Sequence, residues 1–250
     1  MRYAGAPERR AELERLVADG GYISSADVAQ RLGVSEMTVR RDLRLLEEEG
    51  VLRRVAGGAT IASAGVPFER RDAVGAAEKR AIARLAAVEA QGAEVVALDA
   101  GTTVAAVAPL LQGCTIVTHS LPVIETLARE PEPRLIAAGG HYQPDTRCFA
   151  GPIAEEALQG VRCDVALLSA TAVGLGGLWG TNVLDAAIKR LLARQSARVV
   201  LLADAGKLGK TSVVRIAALD AVDLLITDAR ADRDVLAGLE AAGIAVRIAE

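Results

Sequence analysis

The chain has 250 residues, of which 51% are hydrophobic and 24% charged, with a formal net charge of −3. At about 150 residues per domain this leaves room for two modest domains with self-sufficient cores. No apolar run reaches the roughly 18 residues of a membrane span, and Met1–Arg10 lacks the apolar stretch of a secretory signal. Three scattered cysteines (Cys114, Cys148, Cys163) and two histidines suggest neither a disulfide framework nor metal-type spacing. The composition therefore predicts a cytoplasmic protein with no membrane partner, no metal and no cofactor. Aromatics are only 2%, so aliphatic residues must build the cores, and just four of the 29 basic residues are lysines.

In chain order, Pro7–Asp19 carries Leu13, Leu16 and Val17 at helical spacing and is stopped by Gly20-Gly21. Ser24, three residues before Asp27, opens a second helix through Leu32 that Gly33 ends. Ser35 is the expected N-cap of a third helix, Glu36–Glu49, stopped by Gly50. On that helix Val39, Leu43 and Leu46 face inward, whereas Arg40, Arg41 and Arg44 lie off the stripe. Val51–Gly58 follows as a small β wing. Two short helices, a glycine turn and an arginine-bearing third helix form a helix-turn-helix pattern. Arginine can pair with phosphate and with guanine O6 and N7, so this pattern predicts double-stranded DNA as a partner. Residues 1–60 hold ten basic and ten acidic residues, so the prediction rests on local pattern and not on net charge.

The glycine-rich stretch Gly57–Gly75, with the charge cluster Glu69-Arg70-Arg71-Asp72, reads as a domain junction. The expected division is 1–60, a linker at 61–76, and 77–250. From Glu94 the pattern becomes βαβ. Strands are predicted at Val95–Leu98, Thr115–Thr118, Leu135–Ala137, Val165–Ser169, Val199–Ala203, Leu224–Thr227 and Ile244–Ile248. Helices are predicted at Val104–Leu111, Val123–Arg129, Ile153–Leu158, Leu184–Arg194 and Arg233–Ala242. The strands are continuously apolar, as suits a mostly parallel sheet covered on both faces.

Four strand ends stand out in this half. Asp99-Ala100-Gly101-Thr102-Thr103 leaves a strand and opens a helix, where free N–H groups and hydroxyls can meet an anion. Thr118-His119-Ser120 and Gly139-Gly140 end the next two strands, at the edge where parallel sheets bind ligands. Asp204-Ala205-Gly206-Lys207 offers a cation for a phosphate. Gly174–Thr181 misses the dinucleotide glycine spacing and is expected to be a mobile loop over the pocket, with Trp179 as a lid. Asp185 and Lys189 read as an ordinary i, i+4 helix pair.

Leu32–Leu43, Leu46–Gly50 and Arg53–Ala59 together resemble the DeoR family of bacterial transcription regulators. Asp99–Thr103, Thr118–Ser120 (His119 where the family has Asn), Gly139-Gly140, Phe149–Pro152 and Asp204–Gly209 extend the likeness over nearly the whole chain. The resemblance implies an α/β fold class: a small N-terminal winged helix-turn-helix domain followed by a sensor domain similar to ribose-5-phosphate isomerase. It implies a homo-oligomeric regulator, a repressor of a sugar catabolic operon, controlled by a phosphorylated sugar. By position, Ser35, Thr38, Arg40, Arg41, Arg44, Arg53 and Arg54 would face DNA. Asp99, Gly101, Thr102, Thr103, Thr118, His119, Ser120, Gly139, Gly140 and Lys207 would form the effector site. The alternative is a sugar-phosphate isomerase with an appended DNA-binding domain. Such an enzyme needs a carboxylate base near the sugar C2, and the 174–181 loop has none to give.

Overall fold

The computed structural model describes residues 5–20, 22–48, 51–55, 57–61, 68–131 and 134–250. The stops expected at Gly21 and Gly50, and most of the linker, lie outside the described residues. The N-terminal unit runs α1 (Ala6–Gly20), β1 (Tyr22–Ser24), α2 (Ser25–Leu32), α3 (Glu36–Glu48), β2 (Leu52–Val55) and β3 (Gly58–Ile61). Ser24 caps α2 by accepting from the Asp27 N–H, and Gly33 closes it at φ 67°, a conformation that favours glycine. Ser35 Oγ accepts from the Thr38 N–H at 3.1 Å and so fixes the start of α3. Leu13, Val17, Val28, Leu32, Val39, Leu43, Leu46 and Leu52 form one small core. The three strands pair in the order β1-β3-β2, so the wing is a three-stranded sheet to which Tyr22–Ser24 adds a strand.

The second unit opens with α4 (Phe68–Ala73) and α5 (Ala76–Glu89). It continues through β4 (Val95–Leu98), α6 (Thr102–Ala105), β5 (Thr115–Thr118), α7 (Leu121–Leu127), β6 (Leu135–Ala137), β7 (His141–Gln143), β8 (Cys148–Ala150) and α8 (Pro152–Gln159). The chain then forms β9 (Cys163–Ser169), β10 (Ala172–Gly174), β11 (Gly177–Gly180), α9 (Val183–Gln195), β12 (Ser196–Leu202), β13 (Val214–Ala217), β14 (Leu224–Asp228), α10 (Arg233–Ala241) and β15 (Ala245–Ala249). All seven predicted strands join one parallel sheet in the order β15-β14-β12-β9-β4-β5-β6. Alternate residues of each central strand feed two cores. Val96, Leu98, Leu167 and Val200 pack with Ile82, Ala83 and Ala86 of α5. Ala97, Ala166, Leu168 and Leu201 pack with Leu158 of α8, Ile188 and Leu192 of α9, and Leu239 of α10.

Gly174–Thr181 is not a mobile loop. It forms a hairpin of β10 and β11, which β13 extends to three antiparallel strands. Gly177 makes this possible: at φ 123° it approaches the Ala217 carbonyl so closely that an added Cβ would sit 2.2 Å from that oxygen. Trp179 is therefore a strand residue paired with Ala172, and the lid expectation fails.

Candidate functional site

Two places in the molecule gather polar side chains. The first is the outer face of α3. Arg40, Arg41 and Arg44 are exposed there, and with Arg9, Arg10, Thr38 and Arg54 they line a concavity of about 740 Å³. Three of these cations, Arg9, Arg40 and Arg54, pair with carboxylates. Arg40 pairs with Glu36 at 3.1 Å, and Arg54 is clasped by Glu47, which accepts from both its backbone N–H and its Nε. Glu47 therefore anchors the wing instead of repelling a phosphate. Buried Asp42 binds Arg9 of α1, so it braces an arginine from another helix. Ser35 is exposed, but its hydroxyl is committed to the cap and to the Thr38 hydroxyl at 2.8 Å. The side chain of Arg53 lies outside the described part of the structure; its backbone pairs with Thr60. An Arg40→Ala change is expected to cost roughly 1–3 kcal/mol of operator binding and to relax base preference. Fluorescence anisotropy on a matched set of duplexes checks this, and unchanged affinity and preference would remove Arg40 from the reading set.

The second place is the C-terminal edge of the large sheet. β4 leads to β5 and β6 on one side, while β9 leads to β12, β14 and β15 on the other, so β4 and β9 flank the topological switch point. Asp99 leaves β4 there and is fully buried. Its Oδ2 accepts from the Ser169 N–H at 2.8 Å, from the Ser169 hydroxyl at 2.9 Å, and from the Lys189 ammonium. Its Oδ1 lies 3.2 Å from His119 Nε2, and His119 Nδ1 lies 2.9 Å from the Phe149 carbonyl oxygen. Both ring nitrogens thus face atoms that only accept, which requires a doubly protonated imidazolium when Asp99 is ionised. Burial pulls the His119 pKa down, but the bonds to Asp99 and Cys148 outweigh it and push it up to about 10. Burial would raise Asp99, yet Lys189 and His119 hold it below the usual carboxylate range. Asp185 lies 3.5 Å from Lys189, and burial raises its pKa. The i, i+4 pair is therefore no solvated bridge: both residues are buried beneath the switch point.

Above this network opens a pocket of about 730 Å³. Its walls include Gly101, Thr102, Ser169, Thr171, Asp185 and Lys189, together with Arg71, Lys79, Lys207 and Arg230. Lys79 is only 6% exposed, and its ammonium donates to the Arg71 carbonyl. Among the described residues no carboxylate lies within ion-pair distance of it. Burial, then the neighbouring Lys207, push its pKa below the ordinary lysine value. Lys207 is lowered by its own partial burial and by Arg71, although Asp204 stands 3.6 Å away. This end of the pocket thus carries an excess of positive charge.

Of the residues expected at an effector site, Gly101, Thr102 and Lys207 line the pocket, and Asp99 supports it from below. Thr118 is buried, donates to the Leu98 carbonyl at 2.6 Å, and accepts from the Ser120 N–H, so it braces the strand end. Thr103, His119 and Ser120 are buried and do not line it. Gly139 and Gly140 also lie off the pocket. Gly140 instead lets the chain pass α8, where a Cβ would come within 2.9 Å of the Ala150 carbonyl. The sequence pattern gives no site role to Lys79, Arg71 or Arg230, and reads Lys189 only as half of an i, i+4 helix pair. One signal was present: three of the four lysines, Lys79, Lys189 and Lys207, line this single pocket. Gly101→Ala is expected to be harmful, because its Cβ would fall 2.5 Å from Ser169 Oγ and dislodge the bond to Asp99. Urea unfolding should register a loss of about 1–3 kcal/mol.

The chain matches the model of the DeoR-like helix-turn-helix domain over residues 9–64 and that of the DeoR C terminal sensor domain over residues 75–229. The chain belongs to the DeoR family. It is 34% identical to the HTH-type transcriptional regulator GlpR of Haloferax volcanii, over 96% of each chain. It is 30% identical to the putative aga operon transcriptional repressor of Escherichia coli O157:H7, over 98% of this chain and 94% of that one. It is 33% identical to the L-fucose operon activator of Haemophilus influenzae, over 83% and 86%. Among solved structures, ribose 5-phosphate isomerase A from Methanocaldococcus jannaschii overlaps 54% of this chain and 53% of its own, at 16% identity and a TM-score of 0.37, a likeness too distant to carry function. The DeoR-family member described here is a DNA-binding transcriptional regulator, and its relatives do not favour the isomerase reading. No helix among the described residues is long and apolar enough to cross a membrane.

Proposed function

We propose that the switch-point pocket holds a phosphorylated sugar or a related phosphorylated catabolite, and that its occupancy sets the affinity of α3 for an operator. Lys79 carries this reading. A buried ammonium with no carboxylate within ion-pair distance among the described residues is costly, and a phosphate between Lys79, Lys207 and Arg71 would supply the missing charge. The polar floor of Thr102, Ser169 and Asp185 offers donors and acceptors for sugar hydroxyls. The relatives named for sugar operons agree with this ligand class. Arg40, Arg41, Arg44 and Arg54, with Thr38, are the proposed DNA contacts. The working division remains 1–60 as the DNA head, 61–76 as linker and 77–250 as sensor, in a cytoplasmic homo-oligomer. Paired heads would read half-sites about 34 Å or a multiple apart, and the ligand would alter their spacing. Repression is the default sign.

Thermal melting of the full chain against a panel of sugar phosphates and their unphosphorylated parents tests the ligand class. A phosphorylated ligand at 100 times its Kd should stabilise by about 2.7 kcal/mol, and its parent should not. The shift should shrink as pH rises toward the ordinary lysine value of 10.5, because lowered pKa values mean Lys79 and Lys207 lose their charge early. Lys207→Ala is expected to bind DNA normally but to answer the ligand at least about tenfold more weakly. A normal response would place the phosphate elsewhere.

A further inference from the structure

Three metal-ligating groups that the sequence scatters meet below the pocket. His119 follows β5, Cys148 begins β8 and Asp185 stands on α9. One ligand atom from each lies within 4.8 Å of the other two, and all three residues are buried. The expectation of no metal came from spacing along the chain, which does not register that the edge of β8 bridges to Ser120 beside His119.

We propose that His119, Cys148 and Asp185 bind one zinc ion. Imidazole, thiolate and carboxylate together suit zinc better than magnesium or calcium, which prefer oxygen alone. The surroundings of the three residues suit a cation. Asp185 Oδ1 is buried and has no hydrogen-bond partner, an unusual state for a carboxylate oxygen. Asp185 reaches only Lys189, at 3.5 Å, through its other oxygen. Asp99 and Asp185 are balanced by Lys189 and the His119 imidazolium, and a dication on a thiolate and a neutral imidazole would replace two protons without changing the buried cluster's net charge. Each His119 nitrogen already faces an acceptor, Phe149 O or Asp99 Oδ1. Whichever nitrogen turns to the metal, the other stays anchored, the arrangement that orients metal-bound imidazoles. Ser120 Oγ, also buried and unpartnered, belongs to the residue bridged to Cys148 and could meet a fourth ligand. Binding releases the Cys148 thiol proton and any second proton on the His119 nitrogen that turns to zinc; no oxidant or reductant is involved. Cys148 Sγ now lies 3.0 Å from the Thr146 hydroxyl, with His119 as a second polar neighbour.

The proposal stands apart from the sugar-phosphate reading, because zinc binding can be measured without any effector. Untagged full-length protein is stripped with a chelator, given Zn²⁺ and desalted, and its metal content measured; Co²⁺ is added to a parallel sample. One zinc per chain is expected, and the cobalt sample should show thiolate-to-cobalt charge transfer with tetrahedral d–d bands. Cys148→Ser should abolish the charge-transfer band, and His119→Asn should weaken zinc binding by about tenfold or more. Cys114→Ser and Cys163→Ser should change neither. Should Cys148→Ser or His119→Asn fail to fold, the Cys114→Ser/Cys163→Ser double variant keeps Cys148 alone, and its cobalt spectrum decides. Failure to retain zinc, a thiolate band that survives Cys148→Ser, or one lost from the double variant would overturn the assignment.

Discussion

Replacing Lys189 with methionine is expected to destabilise the sensor domain by about 3–5 kcal/mol, since it strips a buried network of its ammonium. Asp99 and Asp185 would then sit buried with only His119 to balance them. The pH dependence should change as well. In the wild type, burial pushes Asp99 up, but Lys189 and His119 hold it below its ordinary 3.8. The stability Asp99 lends is therefore complete above that value and is lost as pH falls below it. Without Lys189 the same loss should begin at a higher pH. Urea unfolding of the sensor-domain transition at several pH values measures both effects. A cost under about 1 kcal/mol would mean that the network contributes little to the fold.

Lys79→Met should do the opposite. Lys79 is nearly as buried as Lys189 but donates to a carbonyl, and the nearby Asp204 and Asp72 do not offset its burial and the repulsion of Lys207 and Arg71. Methionine is close in shape and carries no charge to desolvate, so the ligand-free variant is expected to melt higher than the wild type. The same change should erase the stabilisation of about 2.7 kcal/mol expected from a sugar phosphate at 100 times its Kd. A site that strains the empty protein and is relieved by its ligand gives this combination, the usual exchange of stability for function. A variant that is destabilised and still answers the ligand would show that Lys79 serves packing alone.

The contrast between the two lysines marks where sequence reading succeeds and where it stops. The seven strands were legible because most are short, continuously apolar runs such as a sheet covered on both faces needs, although Arg247 interrupts the last, an exposed edge strand. The winged helix-turn-helix was legible because its caps and glycine stops are local: Ser24, Gly33 and Ser35 act on neighbours within a few residues. Helix α5 escaped notice because its alanines spread over every face and blur the apolar stripe. Lys79 went unseen with it. Lys189 looked like half of an ordinary helix pair because i, i+4 spacing says nothing of the sheet edge that covers it. Residues 174–181 read as loop because glycines that signal flexibility alone here permit close strand approach at Gly177. His119 and Cys148 are brought together by a single bridge at Ser120, which no periodicity encodes.

The central claim is that an anion at Lys79 governs the grip of α3 on DNA. Its most direct test is the affinity of the full chain for a duplex enriched from its own upstream region. That affinity is measured with and without the sugar phosphate that shifts melting most, in the wild type and in Lys79→Met. The account predicts a change of about 5- to 150-fold in the wild type and none in the variant. Equal affinity with and without ligand in the wild type, or the same change in both proteins, would contradict it.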